Sequence, residues 1–230
     1  MKLLHLRIAC YLYDQFTGYD NSYLKLSEKY PNLELDETER IKALIVWLRS
    51  WGCRQFKNSD EIISINSIMD WYELKKTEMP SRDDCLIDYD LAINEGLIID
   101  LFNNLSDRKA ATRQRENHES DVHIGPVGTA KTLFALRPNL FPPWDTPIYK
   151  KFQLEGNGSG YVKYLSRVQN ELKEVRDSLR DADMNWNNLF EHLNKQHSSY
   201  PKLIDEYYWI TITQGCDPLV IENYCNNQTT

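Results

Sequence analysis

Apolar residues recur at three- and four-residue intervals in block after block of this chain. Over residues 41–51, Ile41, Leu44, Ile45 and Leu48 fall on one helical face, with the acidic run Asp36-Glu-Thr-Glu-Arg40 as a start and Gly52 as a stop. Ser59-Asp-Glu opens a second helix carrying Ile62, Ile63, Ile65, Ile68 and Met69, closed before Pro80. Ser81-Arg-Asp-Asp opens a third, with Leu86, Ile87, Leu91, Ile98, Ile99 and Leu101, and Gly96 is a candidate break. Residues 161–180 place Val162, Leu165, Val168, Leu172, Val175 and Leu179 on one face, and 186–193 and 203–212 read as two more helices. No Asn-Gly hairpin signal or sustained two-residue alternation calls for a sheet, so the pattern predicts an all-α fold.

Between these blocks, residues 103–121 are polar and read as a basic connection or short helix, and Glu155-Gly-Asn-Gly-Ser-Gly160 is the most flexible composition in the chain. No internal repeat is visible. Residues 1–230 read as a single unit, long enough to bury roughly 70% of the unfolded surface. Aromatic residues make up 12% of the chain, which argues against disorder.

No apolar run approaches the ~18 residues of a membrane span, and the mean hydropathy is -0.59. The first ten residues begin with a basic position, but His5 and Arg7 interrupt the apolar stretch, which predicts a buried first helix rather than a signal peptide. Cys10, Cys53, Cys85, Cys216 and Cys225 are odd in number and form no C-x-x-C pair, which argues against a disulfide framework or a zinc site. A reducing cytoplasm is the expected setting, with no membrane partner and a monomeric chain.

The net charge of -7 does not suggest a nucleic-acid partner, yet it conceals a local reversal. Residues 108–152 hold eight basic against four acidic side chains, a net of +4 that leaves -11 for the rest. The bland account is a solvated loop beside a basic helix.

The stretch from His123 to Phe152 carries the chemical information. Gly125-Pro-Val-Gly128 reads as a tight turn at the N-terminus of an apolar helix over 129–136, with Thr129, Lys131 and Thr132 in its first turn. Exposed N-H groups and the positive helix end suit a phosphate there, although an ordinary Gly/Pro turn before a core helix would look the same. Further on, Pro142 and Pro143 stiffen the backbone before Asp145, which starts another helix with Pro147 in its first turn. Asp145 reads either as a plain N-cap or as a carboxylate held rigidly beside the phosphate cradle.

Val127-Gly128, the following helix, Phe141-Pro142, Asp145, Ile148 and Lys150 occur in the order of a known signature, and the chain resembles the helix-hairpin-helix DNA glycosylases over about 30 residues. The resemblance implies two interleaved helical lobes with a cleft between them, and a hairpin plus catalytic-aspartate segment over 121–152. It implies double-stranded DNA as partner, phosphate contacts from Gly125, Val127, Gly128, Thr129, Lys131 and Thr132, and Asp145 as the catalytic carboxylate. Three departures stand out: Pro126 occupies the place of the first hairpin glycine, Asp145 follows Gly128 by only 17 residues, and Ala130 stands where bifunctional members carry a Schiff-base lysine. The resemblance therefore implies a monofunctional enzyme. Only Cys216 and Cys225 lie near the C-terminus, so no iron-sulfur cluster and no metal are expected, with room only for a monovalent cation at the hairpin.

The implied reaction is hydrolysis of the N-glycosidic bond of a flipped-out damaged or modified base, in repair or in defence against phage DNA with modified pyrimidines. Trp144 and Trp51, with Arg54, are the candidate base-pocket residues. Two competing readings are a non-catalytic helix-hairpin-helix module that binds DNA or a protein, and an all-helical scaffold. His118 and His123 read as solvated loop residues, and Asp83, Asp84, Asp88 and Asp90 as an acidic helix start rather than a metal site.

Overall fold

The computed structural model describes residues 3–115, 118–181, 184–217 and 219–220. Helices dominate, with one small two-stranded sheet. The order is α1 (Leu3–Phe16), α2 (Tyr19–Lys29), α3 (Thr38–Ser50), α4 (Glu61–Lys75), α5 (Leu91–Ser106), β1 (Lys109–Arg115), β2 (His118–His123), α6 (Gly125–Leu136), α7 (Thr146–Lys151), α8 (Gly158–Asp181), α9 (Leu189–Leu193) and α10 (Tyr200–Tyr208). A π-helical turn, Trp209–Thr213, continues α10. Among the described residues no helix is long and apolar enough to cross a membrane.

The apolar stripes read from spacing are the ones that pack. Ile41, Leu44, Ile45 and Leu48 of α3 are fully buried, as are Leu165, Val168, Leu172, Val175 and Leu179 of α8. α8 lies along α5 and α10, and α10 in turn packs on α1, so the last third of the chain closes over the first. A Cβ on Gly158 would stand 2.7 Å from the Ile99 backbone, so glycine permits the close approach of α8 to α5.

Two expectations give way. The segment 103–121 is not a plain connection: β1 and β2 pair antiparallel, with Arg113 opposite Ser120 and Thr112 opposite Asp121. β1 is held by side chains from distant residues. Ser64 Oγ donates to the Ala110 carbonyl, Lys57 Nζ to the Thr112 carbonyl, and the Thr112 amide donates to Asp60. The predicted third helix begins ten residues late, at Leu91, where the Asp90 carboxylate accepts from the amides of Ala92 and Ile93. Residues 81–90 are irregular because their backbone bonds elsewhere: the Leu86 amide donates to Asn139, and Gln169 donates to the carbonyls of Leu86 and Tyr89. α5 runs through Gly96, which sits on its exposed side. Cys225 lies outside the described residues; Cys10, Cys53, Cys85 and Cys216 are free thiols.

Candidate active site

α6 is apolar almost all round, and a helix of that kind must be buried. Every residue from Gly128 to Leu136 is buried, and the polar members Thr129, Lys131 and Thr132 are drawn inside with the rest. Gly125-Pro-Val-Gly128 is itself the first turn of this helix, with Gly125 at a φ of 68° that favours glycine. The element leading into it is β2 rather than a helix, since the Ile124 amide completes the hairpin by donating to the Arg108 carbonyl.

The expected phosphate cradle is consequently mostly closed. Gly125 and Val127 are partly exposed, whereas Gly128 is covered by Gln55, whose Nε2 donates to the Ile124 carbonyl at 2.7 Å. Thr132 spends its hydroxyl on the Gly128 carbonyl, and Thr129 is wholly buried. Lys131 is only 5% exposed, so its ammonium cannot serve as the surface phosphate contact expected from the sequence. Of the eight basic residues in 108–152, Lys131 and Arg137 are interior and Lys109 pairs with Asp121, while Arg113, Lys150 and Lys151 remain exposed.

Inside, Lys131 meets Asp145. Lys131 Nζ lies 2.7 Å from Asp145 Oδ1 and donates to the Trp51 carbonyl at 2.8 Å. Burial alone would lower the lysine's pKa, but the Asp145 carboxylate beside it reverses the balance and raises it, so Lys131 remains an ammonium. Asp145 occupies the N-cap position of α7 in extended conformation and its backbone carbonyl accepts from Ile148, yet its side chain makes no capping bond. The cap is given up in favour of the ion pair.

The loop that carries Asp145 is fixed from two directions. Tyr161 and Tyr164 of α8 donate their hydroxyls to the carbonyls of Pro142 and Pro143, at 2.7 and 3.2 Å. Trp144 Nε1 donates to the Pro126 carbonyl at 3.0 Å, tying the loop to the first turn of α6. Trp144 is fully buried against Phe102, Tyr149, Tyr161 and Tyr164, so it is a core anchor rather than an open stacking face. Trp144 and Trp51 both line the site, Trp51 with Lys131 Nζ 5.7 Å from its ring centre. Arg54 is exposed in the turn after α3 and is not among the lining residues.

The structure adds residues that spacing did not single out. Tyr13, Tyr19 and Trp209 complete an aromatic wall around Lys131 and Asp145, with Tyr13 and Trp209 edge to face at 5.3 Å. Asp205 of α10 lines the same cavity and is 6% exposed. The cavity measures about 10 Å³, the scale of one water molecule. Beside it lies a cleft of about 280 Å³ lined by Asp14, Asp20, Asn194, Lys195, His197 and Lys202. Lys202 joins the two, lining the cleft while its Nζ stands 3.5 Å from Asp205 and 3.2 Å from Glu206. A signal for this cluster does exist in the sequence: Lys202, Asp205 and Glu206 share one helical face inside the otherwise apolar run from Pro201 to Ile210.

Among the described residues no three His, Cys, Asp or Glu side chains converge as a metal site. Compared with protein-family models, curated proteins and solved structures, the chain matches none.

Proposed function

We propose that this chain is a DNA glycosylase: it hydrolyses the N-glycosidic bond of a damaged or modified base held out of duplex DNA and leaves an abasic site. One observation carries the reading. Asp145 sits at a helix start where a capping bond is available, and its carboxylate is instead turned to a buried ammonium in an aromatic-walled cavity. The resemblance of the 123–152 segment to the helix-hairpin-helix glycosylases supports it, although the strand leading into α6 is a departure from that pattern.

In this reading Asp145 stabilises the oxocarbenium-like sugar as the bond breaks and orients the attacking water. The Lys131 ammonium holds the Asp145 carboxylate in place. Trp51, Tyr19 and Trp209 offer stacking faces to the base. A cavity of about 10 Å³ holds no base, so binding must displace the half-buried Tyr19 and Trp209; Trp209 begins a π-helical turn, a geometry frequent at functional sites. The enzyme acts as a cytoplasmic monomer on double-stranded DNA and uses water alone, in base repair or against phage DNA carrying modified pyrimidines.

The test is incubation of the protein and its Asp145→Asn variant with duplexes bearing different modified bases, followed by mass spectrometry of free base. Release by the wild type alone establishes the activity and its substrate. Retained DNA binding without release from any duplex points to a non-catalytic DNA-binding module.

A second reading, a glycosylase that also cleaves the strand through a Lys131 Schiff base, is favoured by the 2.7 Å approach of Lys131 to Asp145. The amine must first pass its proton on, and its raised pKa opposes that. Borohydride trapping of a protein-DNA adduct, absent in Lys131→Met, separates the two.

A further inference from the structure

Two carboxyl groups from different elements line the cavity, and their surroundings differ. The side chain of Asp145 is 29% exposed and in contact with an ammonium, whereas that of Asp205 is 9% exposed. Among the described residues the one cation within 4 Å of Asp205 is Lys202, at 3.5 Å, and Lys202 shares itself with Glu206 and Asp20. Charged and titratable groups act on Asp205 from every side. They are Lys202 and Glu206 on its own helix, Lys131 from α6, Asp145 from the loop, Tyr13 from α1, and Tyr161 and Tyr164 from α8. The two α8 hydroxyls are already committed to the proline carbonyls.

We propose that Asp205 is the proton donor to the departing base, acting beside Asp145 in the same cavity; the proposal rests on the glycosylase reading. Burial pushes the Asp205 carboxyl up to about 7, with the charges of Asp145 and Glu206 adding to the rise and Lys202 and Lys131 opposing it. A carboxyl of that kind holds a proton near neutrality and gives it up to a stronger base. Two carboxyl groups in different surroundings divide acid and electrostatic roles in this way.

The steps balance. The bond from the sugar C1′ to the base nitrogen breaks with its electron pair passing to the base, and the Asp205 proton goes to the base. Water adds its oxygen to C1′ and loses a proton to Asp145, which releases it to solvent. Asp205 then takes a proton from solvent, and the net change is one water consumed.

The experiment compares single-turnover base release by wild type, Asp205→Asn and Asp145→Asn between pH 5.5 and 8.5. The substrates carry either a neutral base or a cationic, ring-alkylated base that leaves without needing a proton. Wild type is expected to slow as pH rises through about 7. Asp205→Asn should lose that fall and slow release of the neutral base by about 10²- to 10⁴-fold, the range of general acid catalysis, with a much smaller effect on the cationic base. A merely structural aspartate would slow both substrates alike and leave the shape of the pH profile alone. Wild-type release that is abolished in Asp145→Asn but unchanged in rate and pH profile in Asp205→Asn overturns the role of Asp205 and leaves the glycosylase standing. No release by wild type from any duplex removes the glycosylase reading and this proposal together. Should Asp205→Asn fail to fold, Asp205→Glu decides: a displaced alkaline limb supports the role, and a profile identical to wild type overturns it.

Discussion

Lys131 and Asp145 meet at 2.7 Å with unequal access to solvent, 6% of the side chain exposed on the lysine and 29% on the aspartate. The inequality makes the two ends of the pair differ in what their loss costs. Removing Asp145 strands an ammonium in the interior, and an uncompensated buried charge is strongly destabilising. Removing Lys131 leaves a carboxylate that water can reach. Asp145→Ala is expected to lower stability by about 3–5 kcal/mol, and Lys131→Met, which takes the donor from the Trp51 carbonyl, by about 1–3 kcal/mol. Urea melts of both variants and of the double mutant check this; equal losses would show that the ion pair is not the controlling interaction.

Folding stability should carry the signature of Asp205. Its pKa is raised to about 7 in the folded chain from an ordinary 3.8, so between those values the folded state holds a proton that the unfolded state has lost. Stability contributed by this group is therefore full below about pH 4 and falls as pH rises toward 7. Asp205→Asn does not titrate there, so its stability relative to wild type should improve from pH 4 to pH 8. The gain is at most on the order of 4 kcal/mol, at about 1.4 kcal/mol per tenfold change in proton affinity. Thermal melts of both proteins across that range give the difference, and a difference that does not move with pH would refute the assignment.

Trp144 should behave as a structural residue. Its ring is fully buried and its Nε1 is bonded to the Pro126 carbonyl, so Trp144→Phe both shrinks the core and leaves out the tie between the Asp145 loop and α6. A loss of about 1–3 kcal/mol is expected from the core volume and the hydrogen bond given up. DNA affinity of the folded fraction should stay within about twofold, whereas a base-stacking residue would lose about 1–3 kcal/mol of binding.

The exposed end of α7 is the place to look for phosphate binding. Lys150 and Lys151 are exposed in the last turn of the helix that Asp145 begins. Their joint replacement by glutamine should flatten the dependence of log affinity on log salt by up to about 1.8, at about 0.9 for each phosphate that is no longer neutralised. Lys131→Met, with its charge interior, should leave that slope as it was. Fluorescence anisotropy with a labelled duplex between 50 and 300 mM salt reads both slopes, and a change in Lys131→Met alone would reverse the assignment.

What the sequence determined by itself is the helical stripes and the loop that carries Asp145. Leu165 through Leu179 bury the face their spacing marks, because a helix with one apolar stripe has a single way to remove it from water. Pro142, Pro143 and Pro147 similarly mark a stiff approach to a helix start, since proline sets its own backbone. Tertiary structure decided the rest. The β hairpin exists because Ser64, Lys57 and Asp60, some 50 residues upstream, hold the β1 backbone, and local pattern contains no trace of such bonds. Lys131 reads as a surface cation one position away from a familiar place. It becomes an interior ion-pair partner because α6 is wrapped on every side and, among the carboxylates lining the cavity, Asp145 is the one within 4 Å of it. Asp205 joins them from 60 residues further along, where spacing shows a charged face on an apolar helix but not the cavity it lines. Which charges share one interior is a property of packing between distant segments, and the penalty for burying them is met only by partners that the fold brings together.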